Sequence, residues 1–133
     1  MAGSLLYLDA SALVKLVVVE PESAALTAFL GNWRDRITSR LSAVEVARAV
    51  RREARRELRD RVAELLESVA FVELNPELAR MAGTIDPSTL RSLDAVHVAS
   101  ALSVGTDAGP FVTYDARLKE AAVSAGLEVR APA

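Results

Sequence analysis

Short apolar runs alternate with helical stretches along the whole chain, and this order limits the possible folds more than any other feature. The hydrophobic pattern predicts strands at residues 4–8, 36–39, 69–74, 111–114 and 127–129. It predicts helices at residues 10–19, 21–30, 42–68 with a break near 56–60, from 76 toward 83, 90–104 and 115–125. Strands separated by helices build βαβ units with right-handed crossovers. We therefore predict an α/β protein, a three-layer α/β/α sandwich with a central, mainly parallel sheet.

The chain length of 133 residues fits one domain and leaves little room for a second core. Residues 1–133 contain no internal repeat, low-complexity segment or linker. A hydrophobic content of 51% supports a packed core and argues against a disordered chain. One fold must therefore carry the function.

Composition excludes several classes of site. The chain has no cysteine, so disulfides, thiolate metal sites and a cysteine nucleophile are excluded. Asp9 and Lys15 interrupt the N-terminal apolar run before it reaches membrane-spanning length, and no basic segment precedes it. We therefore expect neither a signal peptide nor a membrane helix, and a cytoplasmic location.

Four acidic residues stand where apolar segments meet a turn or a helix. Asp9 and Asp115 directly follow predicted strands, whereas Glu45 and Asp94 lie near the starts of helical stretches. Open α/β sheets present their chemistry at strand ends. Carboxylates gathered there repel one another unless a cation joins them, and oxygen ligands suit Mg²⁺ or Mn²⁺. The pattern indicates a divalent metal site.

Four segments carry a resemblance to a known family. They are LYLDASALVKL (6–16), SAVEVARA (42–49), LDAVHVASAL (93–102) and FVTYDARL (111–118). In their order and flanking residues they resemble the motifs of PIN-domain ribonucleases, especially VapC-type toxins, and the similarity spans residues 5–129. The resemblance implies a Mg²⁺- or Mn²⁺-dependent endoribonuclease with a PIN-like fold, usually a homodimer, that a cognate VapB-type antitoxin neutralises.

The resemblance also assigns roles to individual residues. It implies four acids that are catalytic and ligate metal, and two hydroxyl residues that support them. The acids are Asp9, Glu45, Asp94 and Asp115, and the hydroxyl residues are Ser11 and Thr113, the latter in a Thr-x-Asp pattern.

The chemistry of phosphodiester hydrolysis supports the same assignment. A carboxylate-held Mg²⁺ stabilises charge on the phosphate oxygens and activates a water for attack. Asp9 and Asp94 are the best candidates for direct ligands, Glu45 for a ligand or an orienter of the water, and Asp115 for a second metal or a supporting position. Attack by water needs no ribose 2′-hydroxyl, so we expect products with 5′-phosphate and 3′-hydroxyl ends.

Three of the four acids also have a structural explanation. Ser42-x-x-Glu45 fits a capping box, and Asp9 and Asp115 each stand where a helix N-cap is expected. Asp94 lies among apolar residues, where an unpaired carboxylate is costly, so it needs a metal or a cationic partner.

Seven of the sixteen basic residues fall between Arg48 and Arg61. Arg48, Arg52, Arg55 and Arg59 recur at helical spacing and would share one helix face. That face can guide RNA, contact an antitoxin or form ion pairs with the interleaved acids. Lys15 can approach a phosphate or extend from a mostly apolar face to solvent.

Several other kinds of site fit the sequence less well. His97, the only histidine, fits a packed or supporting side chain better than a Mg²⁺ ligand. A phosphatase with a strand-end nucleophile typically needs a second Asp two residues after the first, where Ser11 stands. The chain has no Gly-rich phosphate loop and no GxSxG elbow. A non-catalytic PIN-like module that binds RNA or protein remains the alternative.

Overall fold

The computed structural model describes residues 3–133 as alternating strands and helices. The strands are β1 (Leu5–Leu8), β2 (Asp35–Ser39), β3 (Ala70–Val72), β4 (Ala108–Val112) and β5 (Val129–Arg130). The α-helices are α1 (Ala10–Lys15), α2 (Ser23–Leu30), α3 (Leu41–Arg51), α4 (Glu57–Glu67), α5 (Pro76–Ala82), α6 (Ser92–Val104) and α7 (Ala116–Ser124). A short 3₁₀ turn at Gly105–Asp107 leads into β4.

The strands form one sheet in the order β3-β2-β1-β4-β5, and every neighbouring pair is parallel. Side chains alternate across β1, so Leu6 and Leu8 pack on the face covered by α1 to α4. Tyr7 packs on the opposite face with Phe111 of β4 and with Val98 of α6. The predicted three-layer sandwich with a parallel sheet is thus confirmed.

Strand β4 begins three residues earlier than the sequence predicted, inside the expected loop at residues 105–110. Leu5 pairs with Ala108 and Tyr7 with Phe111, so one strand has an extra residue and forms a bulge. Gly109 at this bulge lies against Trp33, where a β-carbon would come within 2.8 Å of the indole ring. Gly109 and Pro110 made the start of this strand hard to predict, because both residue types are rare in regular strands. A bulge tolerates both.

Two predicted helices are interrupted. The first ends at Lys15 rather than at residue 19, because three β-branched valines and a proline follow. The long stretch predicted at 42–68 breaks between Arg51 and Glu57, earlier than expected, where Ala54 has a φ of +55°. The arginines at 48 to 59 therefore cannot share one continuous helix face, and that prediction is wrong. The remaining elements were predicted with ends shifted by a few residues.

The sheet places the functional residues at one edge. Asp9 and Thr113 directly follow β1 and β4, which are neighbours at the centre of the sheet. The Asp9 amide donates a hydrogen bond of 3.1 Å to the Val112 carbonyl, which fixes the two strand ends together. Within residues 3–133, the helices lack the combination of length and apolarity that crossing a membrane requires.

Candidate active site

A cleft of about 820 Å³ opens at the carboxyl edge of the sheet, between α1, α3 and α6. All four acids predicted from the sequence line it. The other polar residues on its walls are Ser11, His97, Arg48, Arg51 and Arg52. The fold therefore brings the candidate acids to one surface, although they are far apart in the sequence.

Asp9 is the most buried of the four acids, with 3% of its surface exposed. It is the N-cap of α1 and accepts a 2.9 Å hydrogen bond from the Ala12 amide. Ser11 Oγ donates at 2.7 Å to Oδ1, and Thr113 Oγ1 donates at 2.6 Å to Oδ2. Burial raises the pKa of the Asp9 carboxyl, and these hydrogen bonds oppose the rise. The N-cap explanation is confirmed, and it is compatible with a role in the cleft.

The two hydroxyl groups beside Asp9 also bind the backbone of the next strand end. Ser11 Oγ accepts from the Tyr114 amide at 2.9 Å, and Thr113 Oγ1 accepts from the Asp115 amide at 3.1 Å. Each hydroxyl thus donates to Asp9 and accepts from the segment after β4. These bonds fix the orientation of the Asp9 carboxylate relative to Asp115.

Glu45 lies on α3 and faces the cleft with 28% of its side chain exposed. Its Oε1 lies 2.7 Å from His97 Nε2, and His97 Nδ1 lies 2.7 Å from Tyr7 Oη. His97 and Tyr7 are both buried. Burial, followed by the negative charge of Asp9, raises the pKa of Tyr7. His97 is therefore a packed, hydrogen-bonded side chain, as predicted from the sequence.

The capping-box explanation for Glu45 is wrong. Helix α3 begins at Leu41, with Arg40 at the N-cap and no side-chain cap. The Ser42 hydroxyl instead lies 2.6 Å from that of Thr38 on β2. Glu45 therefore belongs to the first turns of the helix without closing its end.

Asp94 and Asp115 share a cationic partner, Arg91. Arg91 Nε lies 3.4 Å from Asp94 Oδ2, and its Nη2 lies 3.8 Å from Asp115 Oδ2. Asp94 is buried, whereas 35% of the Asp115 side chain is exposed. Asp115 also caps α7 by accepting from the Arg117 and Leu118 amides, as predicted. Arg91 was missed in the sequence, although its spacing of three residues from Asp94 is typical of a helical ion pair.

Two of the four predicted arginines line the cleft. These two are Arg48 and Arg52. Arg51 also lines the cleft, and it was not predicted from the sequence although it lies one helical turn after Arg48. Arg55 instead pairs with Glu57 at 3.2 Å, and Arg59 lies on the separate helix α4. The basic wall of the cleft is therefore the C-terminal end of α3.

Lys15 does not line the cleft. Its Nζ lies 3.3 Å from Glu20 Oε1 and 3.2 Å from Glu22 Oε1. The same atom lies 4.7 Å from the centre of the Tyr114 ring. These contacts neutralise the lysine and hold it beside the turn after α1.

The cleft offers oxygen donors for a divalent cation. Within residues 3–133, no three acidic or histidine side chains meet closely enough to form a ready-made metal group. The cleft nevertheless presents four carboxylates, the oxygen donors that Mg²⁺ and Mn²⁺ prefer. Arg91 pairs with two of them, whereas Asp9 pairs with no cationic side chain among these residues. A buried carboxylate without a counter-charge fits a cation site.

Comparisons with known proteins agree with this arrangement. The PIN domain family model matches residues 6–124. Ribonuclease VapC46 of Mycobacterium tuberculosis (strain ATCC 25618 / H37Rv) is 40% identical over 129 residues, which cover 96% of this chain and 97% of the relative.

Solved structures share the fold at low sequence identity. VapC20 of Mycobacterium tuberculosis, a sarcin-ricin loop cleaving toxin, superposes with a TM-score of 0.76 at 15% identity, covering 96% of this chain and 99% of the other. VapBC2 from Rickettsia felis, bound to a DNA fragment from its promoter, also gives 0.76, at 12% identity, with 97% and 99% covered. The chain therefore belongs to the PIN domain family, with VapC ribonucleases as its relatives.

Proposed function

We propose that this protein is a metal-dependent endoribonuclease, the toxin of a VapBC-type toxin–antitoxin system. The observation that carries the proposal is Asp9, a buried carboxylate that three donors hold in place without any cationic partner among residues 3–133. Three further carboxylates line the same cleft. The family membership and the VapC relatives support the same activity.

Asp9 and Asp94 are the proposed direct ligands of the metal, Mg²⁺ or Mn²⁺ in its place. Both are buried and line the cleft. Asp115 is proposed to bind a second ion or to support the first from its more exposed position. When bound, such an ion neutralises charge that develops on the phosphate and activates a water for attack.

The remaining cleft residues act on the RNA and on the attacking water. Glu45 faces the cleft from α3 and is placed to orient that water or accept its proton. Arg48, Arg51 and Arg52 form the basic wall and would bind backbone phosphates on one side of the scissile bond. Because water is the nucleophile, the products should carry 5′-phosphate and 3′-hydroxyl ends.

The proposed partners follow from the family. A VapB-type antitoxin would neutralise the enzyme, and VapBC2 from Rickettsia felis, which shares the fold, supports this partner. A homodimer and a cytoplasmic location complete the proposal. Val44 and Leu93 are exposed beside the acids on the cleft wall, and an apolar partner segment can cover them.

The test is mapping of 5′-phosphate ends in total cellular RNA incubated with the antitoxin-free protein and Mg²⁺ or Mn²⁺. Asp94→Asn is the test variant, and Asp60→Asn, on the exposed face of α4, is the matched control. We expect discrete new ends with the wild type and Asp60→Asn, and none with Asp94→Asn or with a chelator. A folded, Mn²⁺-binding wild type that produces no such ends would favour the non-catalytic binding module.

A further inference from the structure

A continuous hydrogen-bonded chain runs from the centre of the sheet to the cleft. It begins at Tyr7 on β1, passes through the imidazole of His97 on α6 and ends at Glu45 on α3, with both contacts at 2.7 Å. Tyr7 is 3% exposed and His97 is 2% exposed, so the contact between them is shielded from water. Both are buried titratable groups that the proposed reaction does not otherwise use.

The direction of the hydrogen bonds follows from the chemistry of the end group. A carboxylate can only accept, so His97 Nε2 must carry the hydrogen that it shares with Glu45 Oε1. In the neutral imidazole this leaves Nδ1 as an acceptor, and the Tyr7 hydroxyl then donates to it. Glu45 therefore selects the tautomer of His97, and the Tyr7 hydroxyl stabilises that tautomer by donating to Nδ1.

Glu45 needs such a partner because competing cations are close. Its side chain is long and partly exposed, and among residues 3–133 it hydrogen-bonds to His97 alone. Arg48 lies one helical turn after Glu45 and Arg52 lies two turns after it, both on the same cleft wall. Without the imidazole, Glu45 would be free to turn toward these guanidinium groups. With the imidazole in place, Oε1 of Glu45 is held by His97 and Oε2 of Glu45 remains available to the cleft.

We propose that His97 is a positioning residue for the proposed cleavage reaction, which fixes the rotamer of Glu45, and that Tyr7 supports it by donating a hydrogen bond to Nδ1. The inference rests on the proposed endoribonuclease function. Outer hydrogen-bond partners of this kind typically change metal affinity or activity by about 10- to 100-fold. The imidazole itself touches neither substrate nor metal in this role.

Two substitutions of similar size separate positioning from packing. In His97→Gln the amide nitrogen can take the place of Nε2 and still donate to Glu45, whereas the shorter His97→Asn can reach only the Tyr7 side. We expect His97→Asn to lower kcat by about 10- to 100-fold with KM changed less than about 3-fold. His97→Gln should recover most of that loss.

A double-mutant cycle with Glu45→Gln tests whether His97 acts through Glu45. If it does, His97→Asn should change kcat by less than about 2-fold in the Glu45→Gln background, since the residue that it positions is already lost. Equal fold losses in both backgrounds would show a merely structural role and overturn the proposal. Wild-type activity in His97→Asn would overturn it as well.

The single histidine allows a readout that is independent of activity. The imidazole ¹⁵N spectrum of the protein without metal should show one tautomer with hydrogen on Nε2. Glu45→Ala should shift hydrogen toward Nδ1, since the Tyr7 oxygen can also accept. Hydrogen on Nδ1 in the wild type would overturn the proposal, and this result stands even if His97→Asn fails to fold. If the wild type cleaves no RNA, the proposed function fails. The spectrum would still show whether His97 donates to Glu45 through Nε2.

Discussion

Asp9 and Asp115 have the same local design and opposite surroundings. Each follows a neighbouring parallel strand and caps the next helix through backbone amides. Asp9 is 3% exposed and is held by the hydroxyls of Ser11 and Thr113, whereas the Asp115 side chain is 35% exposed and faces Arg91. An aspartate that follows an apolar strand and caps the next helix is therefore placed at the cleft by its local sequence. The neighbouring side chains determine the charge environment of its carboxylate.

The difference in burial suggests that Asp9 and Asp115 have different roles at the cleft. Asp9 is costly to bury ionised, and its hydrogen bonds offset only part of this cost, since its pKa is still raised. Asp115 keeps access to solvent and has a cation nearby. We therefore expect the inner acid to provide the invariant part of a cation site and the outer acid to adjust it.

The largest effect should come from neutralising the inner acid. Asp9→Asn is expected to lower RNA cleavage by more than about 10³-fold, because charge stabilisation worth several kcal/mol depends on it. Asp115→Asn should lower cleavage by about 10- to 100-fold, since asparagine still caps α7 and the position is outer. Single-turnover rates in Mg²⁺ would measure both. Equal losses would remove the distinction between the two acids.

A second prediction concerns the hydroxyl that joins the two acids. Thr113→Val keeps the shape of the side chain but removes its donation to Asp9 and leaves the Asp115 amide unpaired. We expect cleavage to fall by about 10- to 100-fold and unfolding free energy to fall by about 1–3 kcal/mol. Thr27→Val on the exposed face of α2 is the control for valine at a helix surface. Wild-type activity in Thr113→Val would show that Asp9 needs no such orientation.

The fold was largely predictable because strand and helix signals alternate without ambiguity. β1 is a plain apolar run bounded by Asp9, and its position was predicted within one residue. The start of β4 was not predicted, because Gly109 and Pro110 are typical of a loop. In the structure a bulge and the contact with Trp33 accommodate them within the strand. Tertiary contacts of this kind leave no periodic signal in the sequence.

The acids of the site were predictable because each stands at a chain feature, a strand end or a helix start. Their environments were not, since burial depends on residues distant in the sequence. Thr113 reaches Asp9 across 104 positions, and Tyr7 reaches His97 across 90. Arg51 was missed because the predicted helix face joined Arg48 to Arg52 and did not include the residue between them. The break at Ala54 then excluded Arg55 and Arg59 from the cleft.

The buried acid should also make the stability of the protein without metal depend on pH. The folded pKa of Asp9 is raised by burial, so the folded state binds its proton more tightly than the unfolded state does. The stabilising contribution is fully present below the ordinary aspartate pKa of about 3.9, and it is lost as pH rises through the folded value. Urea unfolding with a chelator should therefore show Asp9→Asn gaining stability relative to wild type as pH rises.

Asp115→Asn is the matched control for that pH series, because it changes the same residue type at an exposed cap. Asp115→Asn should not show the gain in stability with rising pH that we expect of Asp9→Asn. A parallel response of the Asp9 and Asp115 variants would show that burial of Asp9 does not set the profile. Adding Mg²⁺ above neutral pH should stabilise the wild type more than Asp9→Asn, since a bound cation acts on the folded state alone.

The smallest effect should arise at Arg91, the arginine that pairs with two of the four acids. Arg91 offers its positive charge to Asp94 and Asp115, so it competes with a divalent cation for the same carboxylates. With 60% of its side chain exposed, the arginine pairs weakly, and Arg91→Ala should tighten Mn²⁺ binding by only about 2- to 5-fold in calorimetry. Arg55→Ala, which breaks an ion pair outside the cleft, should leave the affinity unchanged. Weaker Mn²⁺ binding in Arg91→Ala would mean that the guanidinium orients Asp94 and Asp115 for the cation and does not compete with it.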